Sequence, residues 1–142
     1  MLINASMVLL ITPMILRITK SINPIMLIII GSFFYLTSFL CLLLFSNLVG
    51  MILFIFFLTI GEIVVQTNIS VVVSMLAGKE YEGRMNSFLL LIGAFGNILG
   101  TSIIGGLIVN YSFSVVWLFI MGLSLTYAFL MFLVYRKYSF EK

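Results

Sequence analysis

Glu62 sits inside an apolar run, and it is the one acidic residue of the chain so placed; Glu80, Glu82 and Glu141 have polar or charged neighbours. A charged side chain at the centre of a membrane helix costs about 2.5–3.5 kcal/mol on insertion scales, so a residue kept there marks a functional site by default. Burial disfavours the charged form of a carboxyl, which suits a group that carries a proton near neutral pH. Gln66, Ser70 and Ser74 follow Glu62 at steps of four, a spacing that draws a slowly drifting stripe along one helix face. Thr59 and Thr67 fall in the same sector, and Ile63, Val64, Val71, Val72 and Met75 fall opposite, with Asn68 as the exception. The expected element is a helix with one wet and one apolar face. Glu62 is the candidate protonation or substrate-contact group, with Gln66 and Thr59 as its neighbours. The rival reading of Glu62 is a hydrogen bond that locks two helices together.

Other chemistry is thin. The chain has no His and no Asp, so acid–base pairs and the usual metal-ligand sets cannot be assembled around one embedded carboxyl. The reading is not an enzyme, with no cofactor and no metal. A single cysteine, Cys41, makes neither a disulfide framework nor a metal site and reads as a small buried hydrophobe.

The elements that must hold this stripe follow from composition. Of 142 residues, 63% are hydrophobic and 8% charged, against roughly 25% charged in soluble domains. A soluble fold of this size cannot hide so much apolar surface. Long apolar runs without period-two alternation indicate an all-α, polytopic membrane protein rather than a barrel. Charges and turn residues mark out five segments, about residues 1–16, 24–45, 50–77, 88–109 and 113–135. The last four reach the roughly 20 residues that a bilayer demands.

Pro13 is expected to kink or break the first segment, and Pro24 suits the first turn of the second. The short connection between them makes those helices antiparallel neighbours. The second segment, rich in Phe and Leu, reads as lipid-facing. The fourth carries Gly93, Gly96, Gly100 and Gly105 near Asn97 and Thr101, with a GxxxG at Gly96–Gly100. Small residues let membrane helices approach closely, so these glycines are candidate helix-packing positions, and a flexible or closely packed helix that rocks against its partner is the functional version. Trp117, Tyr135 and Tyr138 look like an interfacial aromatic belt.

The cations are sided. Arg17 and Lys20 lie between segments one and two, Lys79 and Arg84 between three and four, and Arg136, Lys137 and Lys142 after five. The connections after segments two and four carry none. The positive-inside rule makes the charged face cytoplasmic, which places the C-terminus inside and residue 1 outside. A first segment of about 24 Å, at 1.5 Å per residue, falls short of a hydrocarbon core of about 30 Å. No basic n-region precedes it, which argues against a signal peptide. The expectation is the tail of a longer protein, with a complete five-helix protein as the alternative.

Gly61-Glu62 opening the polar half of a helix, the loop Ala77-Gly-Lys-Glu-Tyr-Glu-Gly83-Arg84, and a glycine helix ending Gly100-Thr-Ser-Ile-Ile-Gly105-Gly106 follow in order. Together they resemble the last helices of a major facilitator superfamily transporter, of the drug-efflux type. The family pattern often has Pro where Thr101 stands, and in the Arg17–Lys20 loop only the basic residues of its Gly- and Asp-containing motif remain. The resemblance implies a partial bundle, helices eight to twelve of twelve, although helices two to six have the same parity because the two halves are repeats. It implies a proton-coupled secondary transporter of the cell membrane, an antiporter. Its partners would be the lipid bilayer, a small-molecule substrate, protons and the N-terminal helices; nucleic acid is not among them. The alternative is a small non-transporting membrane subunit or scaffold.

Overall fold

The computed structural model describes residues 2–45, 47–78 and 80–140, with side chains for 11–45, 47–78 and 80–138. Five helices follow in order: α1 (Leu2–Thr19), α2 (Pro24–Leu44), α3 (Leu48–Ala77), α4 (Glu82–Asn110) and α5 (Phe113–Phe140). The described residues contain no strand. Helices α2 to α5 are each long and apolar enough to cross a membrane.

Local chemistry sets the boundaries. Asn23 caps α2, its side chain accepting from the Ile25 backbone N–H at 3.0 Å, and Pro24 follows in the first turn, where its missing donor costs nothing. Asn47 caps α3 through the Gly50 N–H at 3.0 Å. Gly78, at φ +73° and ψ 161°, stops α3 in a backbone region that only glycine adopts easily.

Three boundaries differ from those read off the sequence. Helix α4 starts at Glu82 rather than near Phe88, and α5 runs to Phe140 rather than Tyr135. Charged residues end an apolar run but not a helix, since the backbone goes on hydrogen-bonding beyond the hydrocarbon edge. Helix α1 continues through Pro13 to Thr19 instead of breaking there; one missing donor is tolerated where the remaining turns keep their bonds.

The packing departs from the sequence order. Helix α2, expected to face lipid, is the central element: it makes the most extensive contact with α3 and the next with α5. Its buried residues run from Ile25 to Cys41. Among the described residues helix α1 packs chiefly on α3 rather than on its chain neighbour α2. Helix α4 lies against α3 and α5 with no residue buried.

Two clusters define the ends. At one, Ile25 and Ile28 of α2 meet Val72 of α3, flanked by Tyr127, Met131, Val134, Tyr135 and Tyr138 of α5. At the other, Phe39 of α2 packs between Phe54 of α3 and Trp117 of α5, with ring centroids 5.3 and 5.8 Å apart. Trp117 is therefore part of an interhelical aromatic cluster as well as near a helix end. This antiparallel arrangement gathers Arg17, Lys20, Arg84, Arg136 and Lys137 at the first end. Lys79, Glu141 and Lys142 lie outside the described residues.

Candidate functional site

Glu62 is the fifteenth of the thirty residues of α3, so it stands at mid-span. Its side chain is half-buried. The stripe that contains it changes character along the helix. Thr59, one turn earlier, is fully buried, and its hydroxyl donates to the Ile55 carbonyl at 2.7 Å. Gln66 and Ser70, one and two turns later, are exposed. Ser74 donates to a carboxylate oxygen of Glu82 at 2.7 Å, tying the end of α3 to the first turn of α4.

The reason is the direction from which α2 approaches. Gly61, Val64, Val65, Asn68 and Val72 recur at helical spacing and are all buried. That face takes the contact with α2, and the polar stripe is left beside it. Asn68, the polar exception on this face, donates to the Val64 carbonyl at 2.8 Å and to the Thr67 hydroxyl at 3.2 Å, so its amide is satisfied within its own helix. Val71 and Met75, read with the apolar face, are exposed instead.

Glycine makes the approach close. A Cβ on Gly31 would stand 2.7 Å from Val65 Cγ2, and one on Gly61 would stand 3.0 Å from the Gly31 carbonyl oxygen and 3.2 Å from Phe34 Cβ. The sequence offered Gly61 as the opening of a Gly-Glu motif; its physical work is to admit α2. Nothing in the sequence reading singled out its partner Gly31, although Gly31-Ser32 interrupts a run of large apolar residues.

Tyr35, one turn after Gly31, is a second residue the sequence did not offer. It is half-buried. Tyr35 and Tyr127 also line a cleft of about 360 Å³ between α2, α3 and α5, with Ser32, Leu58 and Ser124 in its wall. Mid-span therefore holds a carboxyl on α3 and, in the neighbouring cleft, two phenols and two serine hydroxyls.

The remaining candidates lie apart from this centre. Apart from each residue's own turn of helix, no described atom comes within 4 Å of where a Cβ would stand on Gly93, Gly96, Gly100 or Gly105. The helix-packing role expected of these four glycines thus has no partner among the described residues; Gly96, Gly100 and Gly105 border an open groove of about 420 Å³ with Asn97 and Thr101, and the Thr101 hydroxyl donates back to the Asn97 carbonyl at 2.7 Å. Arg17 and Lys20 are exposed at the charged end, and Gly83 and Arg84 are exposed in the first turn of α4.

The family model described as Major Facilitator Superfamily matches residues 1–142. No curated protein matches the chain, and no solved structure does.

Proposed function

The chain belongs to the Major Facilitator Superfamily, and from that membership we propose that it serves a proton-coupled, efflux-type carrier of small molecules in the cell membrane, with its C-terminus in the cytoplasm. Membrane transport is the coarse function the family supports. The finer reading is carried by one observation: a half-buried carboxyl at the middle of a thirty-residue membrane helix, continued by an open polar stripe. Glu62 binds the proton, and Gln66 and Thr59 are its neighbours on α3.

Alternating access moves two repeats about a site near the bilayer midplane. Five helices are less than one such pair, so the reading places them as helices eight to twelve of a larger bundle. Two surfaces support this. Gln66 and Ser70 point away from the helices that cover the rest of α3, and α4 buries nothing. Further helices facing that stripe and that glycine groove complete the site.

The test is transport of ethidium, a hydrophobic cation, in membrane vesicles that hold the chain with its partner helices. Glu62→Gln keeps the shape and removes the titration. We expect loss of pH-gradient-driven movement with normal amounts of protein in the membrane. Unchanged gradient-driven movement rejects the proton role.

A further inference from the structure

We propose that the charged end of the bundle holds a site for one anionic phospholipid, in the groove between the last turns of α3 and α5. The site needs only the membrane span that the family supports, and it is independent of Glu62 and of which leaflet this end faces.

The groove holds about 280 Å³ and is lined by Met75 and Leu76 of α3 and by Val134, Lys137 and Tyr138 of α5. Its α5 wall is held in place, because Val134 and Tyr138 pack against the buried core of Ile25, Ile28 and Val72. Met75 and Leu76 form an apolar floor and are exposed. Lys137 is exposed beside them.

Depth says what reaches this floor. Helix α3 ends at Ala77, one residue past the groove, and Gly78 turns the chain out of the helix. On α5 the apolar run stops at Tyr135, and Arg136 and Lys137 follow. The groove therefore straddles the level at which hydrocarbon gives way to headgroups. A phospholipid is already anchored there, with its phosphate level with Lys137 and its acyl chains beside Met75 and Leu76. A soluble phosphate has nothing to lay on that floor.

The rim selects the sign of the headgroup. An ammonium only donates hydrogen bonds, a phenol can donate beside it, and no carboxylate lines the groove. The described charged side chains at this end are five cations, Arg17, Lys20, Arg84, Arg136 and Lys137, against two carboxylates, Glu80 and Glu82. Glu82 already accepts from Ser74 at 2.7 Å. Basic pockets between membrane helices take anionic headgroups in this way, whereas a zwitterionic lipid brings a cation of its own towards Lys137. Arg17 also borders a groove, but its other walls are Pro13, Met14 and Ile18 of the same helix, with no second polar side chain. A lipid held between α3 and α5 ties the ends of the two helices together.

The experiment uses the full chain in phosphatidylcholine vesicles with a trace of phosphatidylglycerol that carries a photoreactive diazirine on its acyl chain. Labelled residues are mapped by mass spectrometry. Labelling of Met75, Leu76 and Val134 should exceed that by the matching phosphatidylcholine probe. Lys137→Gln should lower it about fivefold, the size of one basic side chain's attraction to anionic lipid, and Lys137→Arg should keep it. Lys20→Gln, at the same end but outside the groove, should leave it unchanged. Glycerol 3-phosphate, the anion without its tails, should not compete. Equal labelling by the two probes, no loss in Lys137→Gln, or the same loss in Lys20→Gln overturns the site, and the end then attracts lipid only as a diffuse charge. Competition by glycerol 3-phosphate overturns the lipid as occupant.

Discussion

Four residues separate Glu62 from Gln66, and one turn separates Glu62 from Thr59, yet the three side chains stand half-covered, open and fully enclosed. The difference traces to two glycines. Gly61 and Gly31 let α2 press on the near side of α3, which swallows Thr59 and stops short of Gln66. Gly61→Leu should therefore strain the crossing. Its side chain would be driven towards the Gly31 carbonyl and Phe34, and overpacking of this kind costs about 1–3 kcal/mol. Thermal unfolding in detergent should show the loss, and Gly96→Leu, made where nothing stands within 4 Å, should show none within the same five helices. Equal losses for both would deny the crossing its role. Glu62 was legible in the sequence because a carboxylate in an apolar run is conspicuous. Gly31 and Tyr35 were not, because a glycine or an aromatic in such a run is common and gains meaning only from what lies opposite.

At the scale of the helix, α3 is about 45 Å long at 1.5 Å per residue, well beyond a hydrocarbon core of about 30 Å. Its end is fixed by backbone geometry rather than by polarity. Gly78 has φ +73° with ψ 161°, outside the left-handed helical region that Asn tolerates. Substitution there should cost about 1–3 kcal/mol for Ala, and Asn should not rescue it. Faster amide exchange over the last turn of α3 in both variants is the expected reading; protection by Asn would place Gly78 in an ordinary helix cap instead. The bond between Ser74 and Glu82 bridges the same turn and explains why α4 can start among charges. Hydropathy alone could not place that start, because it measures where lipid ends and not where hydrogen bonding ends. It did mark the apolar cores of α2 to α5, since length and composition suffice for that. Which helix lies inside is a different matter. α2, α3 and α5 are almost equally apolar, so partner choice rests on small residues and shape, and α2 was misplaced for that reason.

Over the whole molecule the strongest constraint is sidedness. The core of Ile25, Ile28 and Val72 with the last turns of α5 fixes the start of α2 and the ends of α3 and α5 at one level. Residues Arg84 and Arg136 are carried to that level by the chain, while Ser112, between α4 and α5, is carried to the opposite one. Arg and Lys resist translocation, and on that ground the proposed function puts the cationic level on the cytoplasmic side. The two statements are separable, and one experiment addresses both. Cys41 is buried and is the chain's one cysteine, so a Cys41→Ala background is silent to thiol reagents. Single cysteines are then placed at 84, 112 and 136 and exposed to a membrane-impermeant maleimide, first on intact cells and then on inside-out vesicles. Position 112 should react from the outside, and 84 and 136 only from the inside. If 84 and 136 react from opposite sides, the antiparallel packing of α3, α4 and α5 is wrong and Glu62 loses its mid-depth position. If both react from the outside and 112 from the inside, the bundle stands but is inverted, and the proton gradient would meet Glu62 from the other direction.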